Sequence, residues 1–261
     1  MQNKVVVVTG ASSGIGAALA EQLGARGARV VLVARREPEL QQVAAKVGER
    51  ASLAVADMTQ RAAVERVVSD TLQRLGQLDV WVNNAGRGIS RLVSELTDAD
   101  FDEMMLVNVK SALYGMQAVL PHFRAQGHGH VINVSSMLGR VPMAPLRSAY
   151  SASKHALNAL TANLRMELNA TPGIHVSTVH PGVVSTEFGM RALHGGMDSR
   201  NFPGAQTPEE VAAIIVETIE RPRADVYTRP ESKQLVLNYF GADDMGAFER
   251  KIPSQLFNLK P

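Results

Sequence analysis

The chain has 261 residues, a formal net charge of +2 and no cysteine. That length supports a large α/β domain with a real core, and the near-neutral charge argues against nucleic acid or an anionic membrane surface as a partner. The missing cysteines exclude disulfides, thiolate metal sites and a cysteine nucleophile, in keeping with a reducing compartment. The opening MQNKVVVVTG holds an apolar run too short for a secretory signal or a membrane span, so a cytoplasmic location without a membrane anchor is expected.

KVVVVT (4–9) predicts a first strand, and TGASSGIG carries it into the helical pattern GIGAALAEQLGARG. Gly10, Gly14 and Gly16 would let the backbone approach a pyrophosphate, with Ser12, Ser13 and Ile15 beside it and the helix N-terminus supplying free N–H groups. The spacing is G-x-x-x-G-x-G, not the general dinucleotide fingerprint. A Gly-rich turn without a ligand is therefore the alternative.

RVVLVA (29–34) predicts the second strand, and it ends on Arg35 and Arg36. An acid there would bind a ribose hydroxyl and favour NAD(H), whereas arginine suits a 2′-phosphate. NADP(H) is expected, with NAD(H) second and a solvated arginine pair as the alternative. Glu37 fits the start of the next helix, EPELQQVAAKVGER, where an acid is favoured. SLAVA (52–56) leads to Asp57 and Met58. Asp57 could accept from an adenine amino group, or cap the helix in TQRAAVERVVSDTLQRLG.

LDVWVNN (78–84) ends in Asn84, Ala85 and Gly86, a small polar turn facing the same place. One helical stretch is read over 98–126, with Asn108 inside it, and HVINVSS (130–136) ends a fifth strand on Ser135 and Ser136. In AYSASKHALNALTANLRMELNA, Tyr150 and Lys154 share a helix face among small residues. IHVSTVHP (174–181) and the weaker ADVYT (224–228) complete seven strands. An irregular Gly/Met-rich insert at about 186–206 reads as a substrate lid, and a C-terminal extension begins at about 229. Alternating strands and helices predict a single-domain, doubly wound, Rossmann-type parallel sheet of about seven strands, with helices on both faces.

The ordered set TGASSGIG, NNAG, Asn108, the strand-end serines, YSASK and HPGVVST resembles the short-chain dehydrogenase/reductase family over about residues 4–220, in its compact single-domain branch. The Tyr-x-x-x-Lys pair alone is weak; the conjunction is specific. The resemblance implies an oxidoreductase that interconverts a carbonyl and a secondary alcohol by hydride transfer. It implies Tyr150 as acid/base, with Lys154 and the positive nicotinamide of the oxidised cofactor as the charges that lower its pKa, and Lys154 as a holder of the nicotinamide ribose. It further implies Ser136 as the residue orienting the substrate oxygen, and Asn108 as the anchor of a water leading to Lys154. Pro181, Gly182, Val183 and Thr186 would lie beside the nicotinamide. A catalytically inactive NADP-binding regulatory or scaffold protein on the same fold is the alternative. A sugar-nucleotide epimerase would need a larger C-terminal domain.

Two departures stand out. Ser136 and Tyr150 are fourteen positions apart, where the family commonly has thirteen, so the loop GRVPMAPLRSA (139–149) is one residue longer. The tail lacks the strand and Asp-Gly-Gly turn through which many members form tetramers. A homodimer through the helices carrying Asn108 and Tyr150 is expected, with a tetramer as the alternative.

The substrate mouth is assigned to Met137, Leu138, Val141, Pro142, Met143, Leu146, Phe188, Met190, Leu193, Met197 and Phe202, with Leu138, Met143, Phe188 and Met190 expected to touch the substrate together with Ser136. These apolar residues imply a hydrophobic ketone or alcohol, or a lid that only packs. His128 and His130 lack a third ligand, so no metal site is expected. Trp81 and the Tyr239–Phe240 pair read as packing, and Lys251 and Lys260 as solvated charge.

Overall fold

The computed structural model describes residues 1–251. Seven strands form one parallel sheet: β1 (Val5–Thr9), β2 (Arg29–Ala34), β3 (Ala51–Val55), β4 (Val80–Asn83), β5 (Gly129–Val134), β6 (Ile174–His180) and β7 (Asp225–Tyr227). Their order is β3-β2-β1-β4-β5-β6-β7. The order reverses between β1 and β4, which places a crevice beyond the carboxyl ends of those two strands.

The helices α1 (Gly14–Ala25), α2 (Glu37–Val47), α3 (Arg61–Leu75), α4 (Asp98–Met105), α5 (Ser111–Gln126), α6 (Ser148–Glu167) and α7 (Pro208–Glu220) cover both faces. Alternation along β1 shows why both faces must be covered. Val6 and Val8 join one core with residues of α1, α2 and α7, while Val5 and Val7 join the other with residues of α3, α5 and α6.

The stretch 98–126 is not one uniform helix. A π turn at Leu106–Lys110 separates α4 from α5. Such turns re-aim side chains, and Asn108 sits within this one. The C-terminal extension holds α8 (Pro230–Phe240) and α9 (Met245–Glu249). Tyr239 is buried and packs edge-on against Phe240 and Phe248, while its hydroxyl meets Glu249 at 2.8 Å. Phe240 itself is exposed, as is Lys251; Lys260 lies outside the described residues. Among the described residues no helix is long and apolar enough to cross a membrane.

A buried polar chain runs through the core behind the crevice. Trp81 Nε1 donates to Asn83 Oδ1 (2.7 Å), Asn83 Nδ2 to Asn133 Oδ1 (2.8 Å) and Asn133 Nδ2 to Thr161 Oγ1 (2.8 Å). These bonds tie β4 and β5 to α6. Gly115 on α5 leaves room for them, because a Cβ there would run into Trp81 and Asn83. Asn133→Leu removes an acceptor and a donor at once while their partners stay buried. We expect a loss of about 2 kcal/mol or more in urea-unfolding free energy; an unchanged midpoint would show that the chain adds nothing to stability.

Candidate active site

The carboxyl ends of the strands open into a cleft of about 1500 Å³. At one end lies the glycine turn between β1 and α1. Gly10 and Gly14 adopt left-handed conformations, with φ of 67° and 55°, which side chains disfavour. Gly10, Ser12, Ser13, Gly14 and Ile15 line the cleft. Gly16 does not. A Cβ there would collide with the Gly10 carbonyl and lie 2.6 Å from Asn84 Nδ2, so its role is close packing of α1 under the turn.

Thr9 organises the floor. Its hydroxyl donates to Val82 O (3.1 Å) and accepts from the N–H groups of Asn84 (3.0 Å) and Ala85 (3.1 Å). Asn84 Nδ2 donates to Thr9 O at 2.9 Å. The Asn84 side chain therefore ties the ends of β1 and β4 together, while Asn84, Ala85 and Gly86 still line the cleft.

Arg35 and Arg36 stand beside the glycine turn. Arg36 Nη2 donates to Ser12 Oγ (2.9 Å) and Ser13 Oγ (3.2 Å), and its Nη1 pairs with Glu39 (2.7 Å). Arg35 is exposed and 4.0 Å from Asp57. Glu37 opens α2 as an acidic first-turn residue. The Asp57 carboxylate accepts from Thr59 N (2.9 Å) and Thr59 Oγ1 (2.8 Å). It closes a local turn and does not cap α3, whose N-cap is Gln60. Asp57 and Met58 both line the cleft. The glycine cradle, the free N-terminus of α1 and the arginine seated on two serines together fit a dinucleotide.

At the other end of the cleft the chemistry-bearing side chains gather. Tyr150 and Lys154 are both buried on α6, with Lys154 Nζ 5.7 Å from the centre of the Tyr150 ring. The ammonium donates to Val134 O at 3.0 Å, and burial pushes its pKa down to about 8. Burial raises the Tyr150 phenol above its ordinary range, against a hydrogen bond with Ser136 and the positive charge of Arg147. Among the protein's own groups, desolvation is the largest influence on the phenol. The phenol keeps its proton at neutral pH.

Ser136 caps a 3-10 turn, accepting from Leu138 N at 3.1 Å. The neighbouring Ser135 hydroxyl instead points to the Lys154 carbonyl at 3.5 Å. Asn108 is brought near but not into the cleft. The π turn aims it at Arg87, where Oδ1 accepts from Arg87 N (2.8 Å) and Nδ2 donates to Arg87 O (2.9 Å) and Ser153 Oγ (3.1 Å). Gly86 lies between Asn108 and Lys154; a Cβ there would stand 3.0 Å from Asn108 Oδ1 and 3.6 Å from Lys154 Nζ.

Pro181, Gly182, Val183 and Thr186 line the cleft opposite α6. Pro181 O accepts from Met137 N (2.8 Å) and Val183 O from Gln206 N (2.9 Å). The Thr186 methyl stands over Gly14. In the proposed mouth, Met137, Leu138, Met143, Leu146, Phe188, Met197 and Phe202 line the cleft, and Phe188 packs edge-on against Tyr150 with ring centres 5.6 Å apart.

Four expected mouth residues lie elsewhere. Met190 is exposed and its sulfur faces Arg200 at 4.0 Å. Val141 is buried and Pro142 is exposed, both away from the cleft. Leu193 is drawn off by its backbone, which bonds Gly88 O (2.8 Å) and Ser90 N (2.9 Å) and so pins the 186–206 segment to the loop after β4.

Sequence reasoning missed two residues. Thr9 was read only as a strand end. Arg147 lines the cleft three positions before Tyr150, on the same face of the helix start, a spacing that was there to be read. His130 is buried with Nε2 at 2.8 Å from Ser177 Oγ, and burial holds its pKa down at about 3. Among the described residues no cluster of acids and histidines could hold a metal.

Comparison with known proteins places this geometry. The family model described as short chain dehydrogenase matches residues 4–195. An uncharacterised oxidoreductase of Staphylococcus epidermidis is 37% identical over 186 residues, covering 71% of this chain and 80% of that protein. Among solved structures, a short chain dehydrogenase/reductase of Burkholderia phymatum in complex with NAD has a TM-score of 0.84 at 25% identity, covering 100% of this chain and 99% of its own. An alcohol dehydrogenase of Thermococcus sibiricus complexed with 5-hydroxy-NADP has a TM-score of 0.76 at 28% identity, covering 87% and 96%. With its seven-stranded parallel sheet and this match over most of its length, the chain belongs to the short-chain dehydrogenase/reductase family of oxidoreductases.

Proposed function

We propose that the chain is an NADP(H)-dependent oxidoreductase that interconverts a carbonyl and a secondary alcohol, with Tyr150 as the acid/base. One observation carries this reading: Ser136, Tyr150 and Lys154 meet at one end of a cleft whose other end is the glycine turn with Arg36. When bound, the cofactor supplies the hydride to the carbonyl carbon, or accepts it in reverse. The protein's own work is positional and protonic. Ser136 holds the substrate oxygen beside the phenol. Tyr150, protonated at neutral pH because it is buried, donates its proton to that oxygen, and the carbonyl becomes an alcohol. Lys154 offers positive charge to the phenolate left behind and donors to ribose hydroxyls. Asn108 is a positioning residue that fixes the Arg87 backbone and Ser153, the neighbour of Lys154. The apolar mouth favours a hydrophobic substrate. The assembly that goes with this reading is a homodimer across the helices near Asn108 and Tyr150, where Leu160 and Met166 expose apolar surface.

The NADP(H) preference rests on Arg36. Its guanidinium is already held over Ser12 and Ser13, and Arg35 stands exposed next to it. The structural relatives divide, since one is complexed with NAD and another with an NADP derivative.

Two measurements test the reading. Tyr150→Phe should lower the rate of NADPH consumption with a panel of hydrophobic ketones by about a hundredfold or more, with the fold retained by circular dichroism; an undiminished rate would remove Tyr150 from the reaction. Arg36→Ala should weaken NADPH binding by about tenfold or more and leave NADH within a few-fold. Tighter binding of NADH than NADPH by the wild type would overturn the cofactor assignment.

A further inference from the structure

Seven arginines line the cleft, and six of them face carboxylates. Arg35 meets Asp57 (4.0 Å), Arg36 meets Glu39 (2.7 Å), Arg87 meets Glu103 (3.2 Å), Arg191 meets Glu187 (2.5 Å), Arg200 meets Asp198 (2.8 Å) and Arg229 meets Glu231 (3.6 Å). Arg147 is the exception. Among the described residues it has no acidic partner, and its one side-chain hydrogen bond is from Nη1 to the Ile89 carbonyl at 3.1 Å.

The site around Arg147 is built. Its backbone is fixed by Arg147 N to Ala144 O (2.8 Å) and by Arg91 N to Leu146 O (2.8 Å), and Ser148 Oγ donates to Arg91 O at 2.7 Å. Its guanidinium lies close against two glycines. A Cβ on Gly88 would stand 3.1 Å from Nη1 and one on Gly196 3.0 Å from Nη2. The Gly88 position is equally crowded by Phe188, which packs on Tyr150. Arg147, Phe188 and the phenol therefore surround the same end of the cleft. A half-buried guanidinium costs desolvation that an apolar wall would avoid, and its planar fork matches a carboxylate in a two-pronged contact.

We propose that Arg147 binds a carboxylate on the substrate, so that the preferred substrate is an otherwise apolar oxo acid or hydroxy acid. This rests on the reading of the cleft as a carbonyl-reducing site and narrows its substrate class. The carboxylate would sit on Arg147, the chain against Leu138, Met143 and Phe188, and the reacting oxygen between Ser136 and Tyr150.

The test uses straight-chain oxo acids of increasing spacing between ketone and carboxylate, each beside its methyl ester. At the best spacing the wild type should show a kcat/KM for the acid at least about tenfold above that for the ester. Arg147→Met should collapse that ratio toward one, and Arg147→Lys, which keeps the charge without the fork, should restore part of it. Should Arg147→Met fail to fold, Arg147→Gln, which keeps a donor for Ile89, carries the same comparison. A purely structural role would lower both rates and leave the ratio unchanged, overturning the proposal, as would equal use of acid and ester by the wild type. A second readout needs no turnover. A saturated straight-chain carboxylate should raise the thermal midpoint of the wild type more than its methyl ester does, and this difference should vanish in Arg147→Met. Loss of the difference in the wild type contradicts the carboxylate site alone. Protection by the carboxylate with no reduction of any ketone contradicts the carbonyl-reducing reading and leaves Arg147 as an anion site.

Discussion

The Tyr150 end of the cleft is organised around one buried charge. The Lys154 ammonium is buried, with the Val134 carbonyl as its one hydrogen-bond acceptor among the described residues. A cation in such a place is unfavourable unless the structure around it is set to receive it, and the neighbourhood is so set. The last carbonyl of β5 is turned to the ammonium, Gly86 keeps the adjoining loop thin enough to pass, and Asn108 holds that loop from behind. The lysine's depressed pKa and the tyrosine's raised one come from the same burial. That opposition suits an acid that must keep its proton until the substrate oxygen takes it.

The remaining architecture brings distant parts of the chain to that charge. Parallel strands all end on the same edge of the sheet, so residues from Gly10 to Thr186 share one crevice. The Thr9 hydroxyl joins β1 to β4 where the strand order reverses, and the buried chain from Trp81 to Thr161 ties that floor to α6. The glycine-turn end and the Tyr150 end of the cleft are thereby parts of one hydrogen-bonded frame. The segment over 186–206, pinned through Leu193 and Gly195 to the loop after β4, lines the cleft beside Tyr150 with Phe188.

Much of this was legible in the sequence, because the signals were of the kind that a sequence carries. Several strands were apolar, β-branched runs and ADVYT was a weaker one, yet each of the seven lies within two residues of its expected bounds. The glycine turn was legible from its place between the first strand and helix, whereas Ser136 and the Tyr150–Lys154 pair, weak by spacing alone, were legible through the ordered set of motifs that resembles the family. What was not legible depended on where side chains turn in loops and irregular helix. The π turn that aims Asn108 at Arg87 has no periodic signature. Met190, Val141, Pro142 and Leu193 looked like mouth residues by composition, but composition does not say where a loop backbone turns, as the bonds of Leu193 to Gly88 and Ser90 show. Arg147 was passed over because an arginine before a helix reads as solvated charge until the lack of an acid beside it can be seen.

The central claim is that Tyr150 and Lys154 act as one proton-transfer unit, and the pH dependence of ketone reduction tests it most directly. On the proposed reading, reduction needs the protonated phenol and the charged ammonium. Of the two, the ammonium is lost first as pH rises, because burial holds its pKa at about 8 while the phenol is raised above its ordinary value near 10. The account predicts that kcat/KM in the wild type is level below about pH 8 and falls above it. In Lys154→Met, a much lower activity should lose that limb. A profile that rises through this range, or one whose limb survives in Lys154→Met, would contradict it.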